Sequence, residues 1–260
     1  MPNVTIPTPG TFCWADLQTT DPPAAERFYS AVLGWTIAPV PDNTPYSVAS
    51  LDGRMTAGVK ALPARARGLG APPHWLSYVA VDDVQTSVDK AVTLGAAVLL
   101  PPTTTGPGTF AVLRDPTGAA FAIWHSPVSM GTTLYGEHGG VGWNELVSTD
   151  PAAAREFYTS LFGWTVENAN MPGLDYSILK NRGVAIAGLM KLPAEAAGTP
   201  SYWCVYFVAD DVDEAFDIAL AGGATAIMPL TDVPTVGRFG FLTDPQGAMF
   251  ALIQFEGEAG

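Results

Sequence analysis

The sequence predicts an α+β protein of two tandem domains, each holding two βαβββ units. The first observation behind this is a repeat. Residues 14–35, WADLQTTDPPAAERFYSAVLGW, lie over residues 143–164, WNELVSTDPAAAREFYTSLFGW, at a constant offset of 129 with 11 of 22 positions identical. The match resumes with small indels through ALPA over KLPA, VDDV over ADDV, and RDPTGAAFAI over TDPQGAMFAL, which marks homologous domains. The second observation is that apolar periodicity passes from strand to helix and back to strands twice in each domain. Domain one is placed at residues 1–125 and domain two at 141–260. Between them, SPVSMGTTLYGEHGG at 126–140 lacks apolar period and reads as a linker.

The elements follow in order. Phe12–Thr19 is a short apolar strand, and Asp21 then offers an N-cap with Pro22 at the first helical position. Ala25, Phe28, Tyr29, Val32 and Leu33 fall on one helical face, which Gly34 closes. WTIAPV, YSVASL and MTAGVKAL read as strands parted by Pro, Asn and Asp-Gly turns. The second unit starts with the strand WLSYVAV. Its DD pair caps a helix with Val84, Val88, Ala91 and Val92 buried, ending at Gly95. AAVLLP, TFAVLR, the turn DPTG and AAFAIWH complete it.

Bulk properties narrow the partners. A net charge of −13 without a Lys/Arg cluster repels phosphate backbones and anionic lipid, so neither nucleic acid nor membrane is expected, and a neutral or cationic small molecule fits better. MPNVTIPTPG has neither a basic nor an apolar signal region and no apolar run spans a bilayer, so a soluble cytoplasmic protein is expected. Cys13 and Cys204 lie in apolar runs far apart and define no disulfide framework or zinc site.

A strand, an Asp, a helix ending FY-x-x-x-x-G, and in the second unit a DP-x-G hairpin turn resemble the vicinal oxygen chelate superfamily of glyoxalases, extradiol dioxygenases and bleomycin-binding proteins. The two long repeats are most similar to its two-domain actinobacterial, glyoxalase-like members. The resemblance implies that paired units curve into a cup or half-barrel, with metal ligands at fixed concave positions. Those positions fall here on Trp14, Leu76 and Ala122 in the first domain and on Trp143, Cys204 and Ala251 in the second. The remaining ligand is implied to be an acid on the first unit's last strand, yet residues 54–63 and 182–193 contain neither Asp nor Glu. A divalent metal needs several N, O or S donors at about 2.0–2.6 Å, and among these side chains only Cys204 supplies one. No metal and no cofactor are therefore expected.

Strand alternation extends the concave set to Trp14, Asp16, Gln18, Leu76, Tyr78, Ala122 and Trp124 in one domain. In the other it gives Trp143, Glu145, Val147, Cys204, Tyr206, Met249, Ala251 and Ile253. Such aromatic walls suit a flat hydrophobic ligand, although the same rings can simply pack together. Asp16 and Glu145 occupy equivalent positions. Each is read either as a carboxyl desolvated by indole and suited to acid/base work, or as a structural partner of backbone or of Arg54 or Arg182. The histidines are poorly placed: His125 on the opposite face, His74 before its strand, His138 in the linker. Three functions stay open: a metal-free binder of an aromatic metabolite or drug, a metal-free isomerase, cyclase, hydratase or lyase using Asp16 or Glu145, and, least favoured, a metal-dependent glyoxalase or dioxygenase with relocated ligands.

Overall fold

The computed structural model describes residues 7–41, 44–68, 70–106, 108–127, 131–169 and 175–257. The first βαβββ unit is β1 (Phe12–Thr19), α1 (Pro22–Leu33), β2 (Thr36–Pro39), β3 (Tyr46–Leu51) and β4 (Arg54–Ala61), followed by a short α2 (Ala64–Gly68). The second is β5 (His74–Ala80), α3 (Val84–Thr93), β6 (Ala97–Thr105), β7 (Gly108–Arg114) and β8 (Ala120–His125). The third runs through β9 (Val141–Ser148), α4 (Pro151–Phe162), β10 (Thr165–Ala169), β11 (Tyr176–Asn181) and β12 (Val184–Lys191). The fourth holds β13 (Tyr202–Val208), α5 (Val212–Ala221), β14 (Thr225–Val233), β15 (Gly237–Thr243) and β16 (Met249–Phe255). The strands form two eight-stranded sheets, ordered β2-β3-β4-β1-β5-β8-β7-β6 and β10-β11-β12-β9-β13-β16-β15-β14. The α+β class with two tandem cup-fold domains is therefore what the chain adopts.

The helix ends follow their sequence signals. Asp21 and Asp150 accept the N–H of Ala24 and Ala153, while Gly34 and Gly163 close α1 and α4 in the left-handed conformation that a Cβ disfavours. Of each DD pair it is the second residue, Asp83 or Asp211, that caps. Ala25, Phe28, Tyr29, Val32 and Leu33 are all buried. Val92 departs from its expected place and is half exposed. The stripe of α3 that packs is Val84, Val88 and Ala91, and Val92 turns one position past it.

Two compact units emerge, neither contiguous in sequence. One comprises the residues through Cys13, Ser77–Gly131 and Asn144–Trp203; the other comprises Trp14–Leu76, Thr132–Trp143 and Cys204 onward. Each has one apolar core. In the second, α1 and α5 pack with the side of the strands carrying Ala15, Leu17, Val205, Phe207, Phe250 and Leu252. In the first, α3 and α4 pack with Val79, Leu113, Phe121, Ile123, Leu146 and Leu189.

The expected linker is docked where it is described. Leu134 is fully buried, and the N–H groups of Thr133 and Leu134 donate to Met55 O; residues 128–130 of that segment lie outside the described residues. Residues 1–6 of the N-terminal stretch do so too. Among the described residues no helix is long and apolar enough to cross a membrane.

Candidate functional site

Because Ala15 and Leu17 enter a helix-packed core, alternation turns Trp14, Asp16 and Gln18 to the opposite side of β1, hereafter its cup face. Parallel pairing with β4 sets Asp16 beside Gly58 and Gln18 beside Lys60, and antiparallel pairing sets Tyr46 of β3 beside Lys60. These side chains meet around one carboxylate. Lys60 Nζ donates to Asp16 Oδ2 at 2.6 Å, and Tyr46 Oη donates to Asp16 Oδ1 at 2.6 Å. Trp14 Nε1 is shared between Asp16 Oδ1 at 2.9 Å and Tyr46 Oη at 2.7 Å. Gly58 is what lets them close, since a Cβ there would stand 1.9 Å from Tyr46 Oη and 2.3 Å from Asp16 Oδ1.

The Asp16 carboxylate is buried, ion-paired, and accepts from a phenol and an indole. Its cation is Lys60 and not Arg54, whose guanidinium instead grips both oxygens of Glu137 at 2.9 Å. Burial and the neighbouring Asp16 charge hold the Tyr46 phenol well above its usual range, so it stays a proton donor.

The remaining expected residues divide among the strands as follows. On β5 and β8, Tyr78 pairs with Ala122, and on β7 Phe110 stands opposite Trp124, its ring centroid 6.1 Å from that of Tyr78. On β13, β15 and β16, Tyr206, Ala251 and Phe241 form one row, with Phe239 beside Ile253 in the next. The Tyr206 ring lies 5.8 Å from Phe239 and 5.4 Å from Phe241. Leu76 and Cys204 are buried on the same alternation, and Trp14, Trp124, Trp143 and Met249 are half-buried.

In the second repeat Glu145 and Val147 are buried on β9, and Tyr176 Oη donates to Glu145 Oε2 at 3.0 Å, as Tyr46 does to Asp16. The copies diverge at the lysine. Register places Met190 beside Val147, where the first repeat has Lys60 beside Gln18.

Tyr46, Lys60, Phe110, Tyr176, Phe239 and Phe241 escaped the reading of the sequence. The repeated Tyr-Ser that opens YSVASL and YSILKN was a usable signal for the two tyrosines. His74 also needs correction: it does not precede its strand but opens β5, two residues before Leu76 and so on its side. Its Nδ1 lies 2.8 Å from Pro72 O, and burial together with the Lys60 charge moves its pKa below the usual histidine value. His138 Nδ1 accepts from the Asp210 N–H at 3.1 Å, and His125 Nδ1 lies 3.1 Å from Val81 O.

Two cup-fold domains with these motifs define a superfamily. Residues 14–124 match the glyoxalase-like domain model, and residues 140–252 match that of the Glyoxalase/Bleomycin resistance protein/Dioxygenase superfamily; the chain belongs to this superfamily, the vicinal oxygen chelate proteins. Within it the chain is of the two-domain actinobacterial type. It is 40% identical to the putative glyoxylase CFP32 of Mycobacterium tuberculosis (strain CDC 1551 / Oshkosh), over 94% of this chain and 95% of that protein. It is 32% identical to the anthracycline biosynthesis protein DnrV of Streptomyces peucetius, over 95% of this chain and 94% of that one. Its fold is similar to the Mn(II)-bound glyoxalase of Novosphingobium aromaticivorans, with a TM-score of 0.67 at 16% identity, covering 97% of this chain and 83% of that structure.

The donor set does not fit the metal that this fold can hold. Trp14, Leu76, Ala122, Trp143 and Ala251 offer no lone pair to a cation, and the Cys204 thiol is a single donor. Among the described residues no three His, Cys, Asp or Glu side chains gather closely enough to share an ion.

Proposed function

We propose that the chain is a cytoplasmic, metal-independent protein that binds a hydrophobic, aromatic small molecule on the aromatic cup faces of its strands. One observation carries the reading. The Trp14 indole stands where the resemblance implies a metal ligand, is fixed at its N–H edge by Asp16 and Tyr46, and remains half-buried, so its ring serves as a held stacking surface. The ring clusters Tyr78–Phe110 and Tyr206–Phe239–Phe241 supply further aromatic surface. A fused-ring ligand is in keeping with a relative named for anthracycline biosynthesis. The test is elemental analysis joined to a fluorescence titration with a planar aromatic. The expected result is no stoichiometric metal, indifference to chelators, and tryptophan quenching that Trp14→Ala or Trp143→Ala weakens. A tightly bound metal, or affinity unchanged in both variants, overturns it.

A second reading has one observation in its favour. A tyrosine hydroxyl donates to the buried acid in both repeats, Tyr46 to Asp16 and Tyr176 to Glu145, so in a metal-free isomerase, cyclase, hydratase or lyase Asp16 or Glu145 would carry the proton transfer. Asp16→Asn or Glu145→Gln then abolishes turnover of a bound ligand while leaving its affinity. A binder shows no turnover to lose.

A further inference from the structure

A net charge of −13 argues for neutral or cationic partners, yet the cup face of β1, β3, β4 and the start of β5 carries two basic side chains. Lys60 shares a row with Tyr46 and Gln18 and keeps about a fifth of its side chain exposed, with Nζ 5.8 Å from the Tyr46 ring centroid. His74 is close enough for the Lys60 charge to act on it. An ammonium carries three N–H donors, so its bond to Asp16 does not by itself exhaust it. Asp16 in turn fixes where that ammonium sits, which lowers the ordering cost of using it for recognition. The second repeat has neither base. Met190 takes the lysine's place in the register, and Tyr202 opens β13 where His74 opens β5.

We propose that Lys60 is a specificity-determining residue that makes the first repeat select planar aromatic ligands bearing an acidic oxygen, a carboxylate or phenolate, whereas the second repeat takes uncharged aromatics. The ligand ring lies on Trp14 and its oxygen accepts from Lys60 Nζ. The assignment rests on the aromatic-binding reading above and narrows its ligand class.

The test is calorimetric titration of the full chain at neutral pH with 2-naphthoate and its uncharged isostere 2-naphthamide. A charge-assisted bond predicts that the wild type binds naphthoate about tenfold or more tightly than the amide. Lys60→Met removes that preference, and Met190→Lys adds a second naphthoate site. Lys60→Met strands a buried carboxylate, so the double variant Asp16→Asn/Lys60→Met, which removes both charges, repeats the measurement in a chain checked by circular dichroism. Equal affinity for the two probes in the wild type, or a naphthoate preference that survives both Lys60 variants, overturns the assignment while leaving aromatic binding intact. Failure of both probes to bind the wild type overturns the aromatic reading, and this assignment with it.

Discussion

Tyr29 and Asp244 stand 215 positions apart in the chain, yet the Tyr29 hydroxyl donates to Asp244 Oδ2 across 3.1 Å. Trp75 Nε1 donates to the same hydroxyl at 2.9 Å, so a buried phenol links a helix of the first repeat to the DP-x-G turn of the second. In the other compact unit Tyr158 receives the Trp203 indole N–H at 2.8 Å and lies near enough to Asp115 for that carboxylate's charge to help raise the phenol's pKa. The FY motif of each repeat thus lies near the DP-x-G aspartate of the other.

Tyr29→Phe deletes the shared hydroxyl and leaves the Trp75 N–H and one Asp244 oxygen without it. Hydrogen bonds to charged groups and stranded buried donors predict a loss of about 2–4 kcal/mol. Urea unfolding followed by tryptophan fluorescence measures it, and Tyr158→Phe, which strands only the Trp203 N–H, shows a smaller loss. A double-mutant cycle with Asp244→Asn isolates the coupling. Unchanged stability in both single variants contradicts the crossed pairing.

Asp244 also sets a pH dependence of definite sign. Burial is the largest influence on its carboxyl and raises its pKa above 3.8, against the N–H donors of Ala248, Gln246 and Gly247 and the Tyr29 hydroxyl. A folded-state pKa above the unfolded one means that the native state binds the proton more tightly. Stability from this group is therefore present below pH 3.8 and is lost as pH rises through the folded pKa. The expected outcome is that wild type gains stability relative to Asp244→Asn on acidification toward pH 3.8. A difference that is flat, or that grows with rising pH, counts against it.

Much of this fold is legible in the sequence because its signals are local. Asp21 with Pro22, Gly34, and the alternation of Phe12–Thr19 each depend on neighbours within a few residues, and each appears at its expected place. Val92 failed because helical periodicity defines a stripe only to within a residue of its edge. The site was legible as a face but not as a set of partners. Strand parity alone puts Trp14, Asp16 and Gln18 together. Which cation neutralises Asp16 depends on the β1–β4 register, and that places Lys60 beside Gln18, whereas Arg54 was one of the partners the sequence left open. Tyr46 and Phe110 lie on β3 and β7, whose parity cannot be fixed until their pairing is known.

Gly58→Ala tests the close approach at the floor of the cluster. The added methyl overlaps both Tyr46 Oη and Asp16 Oδ1, and backbone hydrogen bonding to β1 and β3 prevents β4 from yielding. Overpacking of this kind costs about 1–3 kcal/mol. Thermal unfolding with calorimetric titration is expected to show both lower stability and weaker binding of an aromatic probe. A variant as stable as wild type shows instead that the four side chains can rearrange.

Trp14→Phe separates the two parts that the indole plays. Phenylalanine keeps an aromatic face but has no N–H, so Asp16 and Tyr46 each lose one donor while Lys60 still neutralises the carboxylate. The expected stability loss is about 1 kcal/mol, because Asp16 Oδ1 retains the Tyr46 hydroxyl. Ligand affinity is expected to fall by only a few-fold, since stacking contributes about 0.5–1.5 kcal/mol and a smaller ring preserves part of it. Trp14→Ala removes face and donor together and loses the rest. Calorimetric titration of the three chains with one planar probe ranks them wild type, Trp14→Phe, Trp14→Ala. If Trp14→Phe binds as poorly as Trp14→Ala, the indole acts through its hydrogen bonds in ordering Asp16 and Tyr46, and the ring itself is not the platform.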